Sequence, residues 1–162
     1  MTEIRFYHLV RKSLDQALPE LLEKCRERGW RAVVMAGSED RVESLVQTLW
    51  TYSERSFLPH GGAKDGEATR QPIWLTVQDE NPNGATVLFL TDGANSARIT
   101  DYNLVCDLFD GNDTEAVAQA RERWKHCQQA GHTLAYWQQG EAGNWQEKRR
   151  VEGGGGPSEA DA

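Results

Sequence analysis

The stretch "RAVVMAG" at residues 31–37 decides the fold class of this chain. A short, fully apolar run of this kind is typical of a strand that other layers of structure cover on both faces. Upstream, the β-prone run at 3–10 predicts a first strand, and the apolar spacing after Ser13 predicts a helix that ends near Gly29. A second helix is expected from about Glu39. The order strand, helix, strand, helix favours an α/β fold with a parallel sheet.

The second half of the chain extends this sheet. Residues 53–71 carry Gly, Pro and charge without periodicity and predict a long loop. A late helix is expected to begin at one of Asn112, Asp113 or Thr114 and to end at Gly131. The links after the third and fourth strands are too short for full crossover helices, so a mixed and a fully parallel sheet both stay open. The remaining strands are expected at 72–77, 85–93, 101–110 and 132–137.

The length of 162 residues and this order of elements predict a single three-layer domain over residues 1–137. From residue 138 onward the composition changes, since six of the last 25 residues are glycine and few are apolar. Such a composition favours a disordered, Gly-rich tail over residues 138–162.

Charge and cysteine content restrict the functional class. The formal net charge of -7 argues against a protein that coats nucleic acid by charge alone. Three cysteines, Cys25, Cys106 and Cys127, are widely spaced and form no CxxC pair, which favours a reducing cytoplasm over a disulfide scaffold. No signal-peptide pattern and no apolar run of roughly 20 residues is present, so we expect a cytoplasmic protein without a membrane span.

A nucleotide site is not expected. The first strand-to-helix turn, "HLVRKSLD" at 8–15, has no glycine to let a phosphate approach the backbone. Gly61 and Gly66 have the spacing of a P-loop, but Glu67 and Ala68 follow them in place of Lys and Ser or Thr.

Metal and catalytic patterns are also missing. The four histidines lack HExxH or HxxxH spacing. Asp107, Asp110 and Asp113 do not match a calcium loop, and they are better explained by a strand end followed by a helix N-terminus. We expect no catalytic residue, no metal and no cofactor.

One side of the late helix combines positive charge with an aromatic ring. Arg121, Trp124, Lys125 and Gln128 are spaced three or four residues apart and share a face, whereas Arg123 lies off that row. Either Trp124 is a core residue beside a solvated basic face, or the row binds an acidic peptide whose apolar side chain packs on the indole. The inner stripe of the same helix is expected to be Val117, Ala120, Trp124 and Cys127.

A second candidate patch lies between the second helix and the long loop. Trp50 and Tyr52 end the helix, and Phe57 and Pro59 follow in the loop. Either this loop folds back on the core, or it presents aromatic side chains to another subunit, because aromatic residues dominate interface hot spots.

The motifs "RFYHL" at the start, "LW" followed by "SFLPH", and "ARERWK" followed by "AG" together resemble the chi subunit of bacterial DNA polymerase III holoenzyme. The resemblance covers residues 1–137 in the same order of elements. It implies a Rossmann-like α/β domain without nucleotide chemistry. It also implies a non-catalytic replication subunit that links the clamp loader, through its psi subunit, to single-stranded DNA-binding protein.

The resemblance carries roles onto particular residues. Arg121, Trp124 and Lys125, with Gln128 beside them, would hold the acidic tail of single-stranded DNA-binding protein, which ends in phenylalanine. Trp124 replaces a tyrosine that is usual in the family, and Val117 stands where some relatives carry a lysine. This departure leaves less positive charge at the site and implies weaker binding.

For the psi subunit the resemblance implies contacts from Trp50 and Phe57, with Pro59 in the same motif. DNA contact is then mainly indirect, and the chain is expected to be a monomer or part of a heterodimer. Two other classes stay open. One is a nucleotide-dependent or helicase-like α/β enzyme fragment. The other is a direct DNA binder, which needs one basic face made of Arg11, Lys12, Arg26, Arg28 and Arg31.

Overall fold

The computed structural model describes residues 2–52, 59–62, 65–142 and 144–153. These ranges contain seven β-strands and three α-helices, with short 3-10 turns at Ala68–Arg70 and Ile99–Asp101. The bounds are β1 Glu3–Leu9, α1 Leu14–Glu27, β2 Ala32–Met35, α2 Glu39–Thr51, β3 Ile73–Thr76, β4 Val87–Leu90, β5 Leu104–Asp110, α3 Thr114–Gln129, β6 Thr133–Gln139 and β7 Trp145–Val151.

All seven strands form one sheet in the order β3-β2-β4-β5-β1-β6-β7. Neighbouring strands are parallel from β3 to β6, and β7 pairs with β6 in the antiparallel direction. The sheet is therefore mixed. The links from β3 to β4 and from β4 to β5, both within the described range 65–142, contain no α-helix, as their length predicts.

The sheet is the middle of three layers. Leu18 and Leu22 of α1 pack with Leu45 of α2 on one face, and Ala120 of α3 packs on the other. The four residues of β2 are all buried, which confirms the interpretation of the apolar run at 31–37. The predicted α/β fold is confirmed, and its short apolar strands are stabilised by burial on both sides.

Local sequence signals set the ends of the helices. The backbone N–H of Ser13 donates to the Gln16 side chain at 3.0 Å, in agreement with the predicted capping box. Asp113 caps α3, because its carboxylate accepts a hydrogen bond from the N–H of Glu115 at 3.0 Å. Gly131, just beyond α3, has a φ of 86°, a conformation that favours glycine.

The prediction of a disordered tail from residue 138 is wrong for the described part of that segment. Gln138 and Gln139 end β6, and Trp145–Val151 forms the edge strand β7. Five of the seven residues of β7 are exposed, so the strand lacks the apolar alternation that would reveal it in the sequence. Trp145 anchors it by an edge contact with Tyr7, with ring centroids 4.9 Å apart. Residues 154–162 lie outside the described ranges.

Deletion of β7 should destabilise the domain. A chain that ends at Gln139 should melt about 5 °C below a chain that ends at Gly153, because it loses the edge pairing and the packing of Trp145. The measurement is thermal unfolding followed by circular dichroism. Trp145→Ala in the full chain should produce a smaller shift in the same direction. Equal melting temperatures for the two shortened chains would contradict a stabilising role of β7.

Candidate functional site

The row predicted on the late helix lies along a single cavity on the α3 face of the sheet. Arg121, Trp124, Lys125 and Gln128 all border this cavity, which has a volume of about 520 Å³. We call it the α3 notch. Its remaining lining residues are Phe6, His8, Phe109, Val117, Ala120, Tyr136 and Arg149.

The floor of the α3 notch is aromatic. Phe6 and Phe109 are 1% and 6% exposed, and the ring of Trp124 lies against Phe6 with centroids 5.4 Å apart. Tyr136 meets the same indole edge-on at 6.3 Å. Trp124 is half-buried, so one part of its ring packs on the core while another part borders the notch. The two interpretations of this residue are thus compatible.

The inner stripe of α3 is as predicted. Ala120 is buried in the core of this face, and the other three stripe residues, Val117, Trp124 and Cys127, are partly buried against it. Helical spacing alone was sufficient for this prediction because residues three or four apart share a side of the helix.

The positive charge at the rim is largely uncommitted. Within the described ranges Arg121 forms no ion pair, and Lys125 has only a contact of 3.7 Å with Glu122. The Lys125 and Glu122 side chains are 68% and 76% exposed, and an ion pair between such exposed groups contributes only about 0.2–1 kcal/mol. Both cations are therefore available to an anionic ligand.

Besides Phe6 and Phe109, three further lining residues were not predicted from the sequence. His8 and Tyr136 come from the adjacent parallel strands β1 and β6, and a ring nitrogen of His8 contacts the Tyr136 hydroxyl. Arg149 comes from β7, and its guanidinium lies 5.5 Å from the centre of the Trp124 ring. No local pattern marks these residues, because strand pairing alone brings them to α3.

The surroundings of His8 disfavour a positive charge on its imidazole. Burial lowers the pKa of His8 below its usual value, and the nearby positive charge of Arg121 lowers it further. The ring lies against the turn at Gly111, where a β-carbon would collide with it. Position 111 therefore requires glycine, because the His8 ring leaves no room there for a side chain.

Arg123 has a structural role, separate from the row on α3. Its guanidinium donates two hydrogen bonds to Asp107 of β5, at 2.6 and 2.9 Å, and the two side chains are 16% and 4% exposed. Burial raises the pKa of Asp107, and the hydrogen bonds from Arg123 oppose this rise. Of the three aspartates predicted at a strand end and a helix N-terminus, Asp110 ends β5 and Asp113 caps α3 as expected, whereas Asp107 lies buried inside β5.

The second candidate patch is described only in part. Trp50 is 49% exposed near the end of α2, and its ring contacts His60 with centroids 4.8 Å apart. Pro59 is half-buried nearby in the chain, and Phe57 lies outside the described residues. The exposed indole is consistent with a docking surface, as aromatic side chains often provide one.

The carboxyl end of β1 is the position at which many α/β folds bind phosphate. Here three successive backbone N–H groups, of Val10, Arg11 and Lys12, donate to the side-chain oxygen of Gln139 at 3.3, 3.0 and 3.0 Å. A bound phosphate would need the same N–H donors. Because they already bond to a side chain of this protein, they are not free to hold a phosphate.

The described residues contain no group of three or more His, Cys, Asp or Glu side chains arranged to hold a metal ion. Cys25, Cys106 and Cys127 are free thiols, and burial raises the pKa of Cys25 to about 11. Among the described helices, none has both the length and the apolar character needed to cross a membrane.

Fold and site together define a three-layer α/β protein with a cationic, aromatic notch on one helix and an internally capped turn after its first strand. A family model described as "DNA polymerase III chi subunit, HolC" matches residues 1–135. The chain belongs to this family, which confirms the resemblance found in its sequence motifs.

A relative named "Probable DNA polymerase III subunit chi" from Rickettsia prowazekii (strain Madrid E) is 33% identical over 105 residues. The aligned region covers 63% of this chain and 64% of that protein. Strand β7 lies beyond the residues that the family model matches.

Removal of Arg123 should destabilise the fold. Arg123→Ala leaves the Asp107 carboxylate buried without its partner, so the free energy of unfolding at neutral pH should fall by about 3–5 kcal/mol. Chemical denaturation measures this change. Arg70→Ala is the matched control, since Arg70 is 83% exposed and its loss should change stability by less than about 0.5 kcal/mol.

The deficit of Arg123→Ala should depend on pH. Without Arg123, burial raises the pKa of Asp107 unopposed, so the folded chain binds a proton more readily than the unfolded chain. Stability then falls as pH rises through the raised pKa, and the deficit should be smaller near about pH 5 than near about pH 8. A deficit that grows on acidification would contradict the assigned role of Asp107.

Proposed function

We propose that this chain is a non-catalytic accessory subunit of the DNA polymerase III holoenzyme that binds the acidic C-terminal tail of single-stranded DNA-binding protein. The observation that carries this proposal is the α3 notch, where the cations Arg121 and Lys125 lie at the rim of an aromatic cavity. An acidic peptide that ends in a phenylalanine has matching chemistry, since carboxylates pair with the rim and a benzyl ring packs against Trp124.

The binding free energy comes from two parts of the peptide, its apolar phenylalanine and its carboxylates. Burial of a Phe-sized side chain contributes roughly 1.5–3 kcal/mol. Ion pairs at a half-exposed rim add less, about 0.2–1 kcal/mol each. The apolar contact therefore contributes more than any single ion pair, and the charges speed and orient the encounter. A site of modest affinity is sufficient for tethering, because binding partners on one DNA strand are held at high effective concentration.

We further propose that the patch around Trp50, Phe57 and Pro59 contacts the psi subunit and so joins the clamp loader to the DNA-bound protein. The exposed indole of Trp50 supports this assignment. The chain would act in the cytoplasm as a monomer or in a heterodimer with psi.

The direct DNA-binding class is not favoured by the placement of its five basic residues. Arg11 and Lys12 lie before the start of α1, while Arg26 and Arg28 lie at its other end. A helix of 14 residues is about 21 Å long, so these pairs do not form one compact face. We propose that contact with DNA is mainly indirect.

A nucleotide-dependent or helicase-like enzyme is the second candidate function. The hydrogen bonds from Val10, Arg11 and Lys12 to Gln139 weigh against it, because the donors after β1 are already engaged. Equilibrium binding of labelled ATP and GTP distinguishes the candidates. The accessory-subunit proposal expects no binding, and binding that Gln139→Ala strengthens would favour the enzyme.

A synthetic peptide with several aspartates and a C-terminal phenylalanine should bind with a dissociation constant of about 1 μM, near -8 kcal/mol. Added salt should weaken binding by screening the ion pairs. Arg121→Ala should weaken it about two- to fivefold, as expected for loss of an ion pair at an exposed rim. Isothermal titration calorimetry measures all three effects.

Arg70→Ala is the matched control for this experiment. It removes the same charge near β3, at the opposite edge of the sheet from β6 and β7, and should leave peptide affinity unchanged. Arg123→Ala is unsuitable because it disrupts a buried pair. Equal losses for Arg121→Ala and Arg70→Ala would show that net charge, and no specific notch, attracts the peptide.

Trp50→Ala should weaken binding of a purified psi subunit without lowering the melting temperature appreciably, since the indole is half exposed. Trp30→Ala is a matched control, because Trp30 is 36% exposed just after α1 and packs on Arg28. Co-elution in size-exclusion chromatography provides the measurement. Undiminished co-elution of the Trp50→Ala variant would remove Trp50 from the proposed psi surface.

A further inference from the structure

Strand β7 adds a cation to a site that α3 supplies with charge on one side only. The guanidinium of Arg149 borders the α3 notch together with Arg121 and Lys125, and it lies 5.5 Å from the Trp124 ring centre. This distance is within the range of a cation–π contact. On α3 itself, the lining position one turn before Arg121 is the uncharged Val117.

An irregularity in strand pairing directs Arg149 toward the notch. Trp137 pairs with Glu147, but Tyr136 pairs with Arg149, so Lys148 is an extra residue in β7. Side chains alternate along a strand, and one extra residue reverses the faces of all that follow. In a regular strand Lys148 would lie opposite Tyr136, and Arg149 would point to the other face. The extra residue therefore places Arg149 on the same face as Tyr136.

The charge of Arg149 is also uncommitted, in contrast to that of Arg150. Its neighbour Arg150 forms ion pairs with Glu3 at 3.3 Å and with Glu147 at 3.2 Å. Among the described residues Arg149 forms no ion pair, and its side chain is exposed. One arginine thus ties β7 to β1, while the other remains available to a ligand.

We propose that β7 forms an added wall of the α3 notch and that Arg149 is a specificity-determining residue for peptides that carry more than one carboxylate. This inference rests on the proposed function, because it concerns the same acidic peptide. Arg121 pairs with one carboxylate on the helix side, and Arg149 pairs with a second across the Trp124 ring. Peptides with several acidic residues are thereby preferred over peptides with one.

The test compares Arg149→Gln with Lys148→Gln in the full chain. Both variants lose one positive charge from adjacent residues, but only Arg149 borders the notch. With a peptide of several aspartates and a C-terminal phenylalanine, Arg149→Gln should bind about two- to fivefold more weakly than the unaltered chain, the effect of one partly exposed ion pair. Its affinity should also depend less steeply on salt. Lys148→Gln should bind like the unaltered chain.

A second peptide, in which asparagine replaces every aspartate so that only the C-terminal carboxylate remains, tests the selectivity. The Arg149→Gln variant and the unaltered chain should bind this second peptide with equal affinity. For the first peptide, Arg149→Lys should recover part of the affinity that Arg149→Gln loses. Equal effects of Arg149→Gln and Lys148→Gln, or equal losses on both peptides, would overturn the inference. Equal melting temperatures of the variants exclude unfolding of β7 as the cause of weaker peptide binding. A lower melting temperature for Arg149→Gln together with unchanged peptide affinity would also overturn the inference.

The outcomes separate this inference from the proposed function. If the unaltered chain binds neither peptide, the proposed function fails. If Arg121→Ala loses affinity while Arg149→Gln retains it on both peptides, the proposed function stands and the role of Arg149 fails.

Discussion

The pairing of β1 with β5 on one side and β6 on the other is the constraint on which the rest of the structure depends. Because this strand is buried within the sheet, its alternate side chains must serve both faces. Phe6 and His8 face α3 and form part of the notch, whereas Tyr7 faces the opposite layer and holds Trp145 of β7. The floor of the site and the anchor of the edge strand are thus successive residues of one strand.

The two arginines of α3 that lie two positions apart have opposite tasks. Arg123 is held by a buried carboxylate and stabilises the contact of α3 with β5, while Arg121 borders the notch, where we propose that it pairs with a ligand. A buried pair is costly to break, so Arg123 must remain where it is. An exposed cation contributes little to folding and is free to act in recognition. The same helix can therefore be rigid on its inner side and adaptable at its rim.

An α/β sheet of this type offers a phosphate site after its first strand, and this family member uses that position differently. Gln139 of β6 satisfies the N–H groups after β1, which also fixes the end of β6 against the start of α1. The proposed recognition surface is instead the α3 notch, which α3 forms together with β1, β5, β6 and β7. A shared layer architecture therefore predicts the positions of helices and strands well, but the site depends on individual side chains.

The sequence by itself determined the elements from β1 to β6 and the composition of one helix face. Apolar runs, caps and the spacing of Arg121, Trp124 and Lys125 are local signals, since residues within one or two turns interact directly. Only the tertiary structure decided which distant residues join them. Tyr136 and Arg149 reach the notch through strand pairing, Gln139 closes a turn 129 residues earlier, and Asp107 meets Arg123 across two layers. Such contacts depend on strand order and register, which short polar segments such as β7 do not encode in any local pattern.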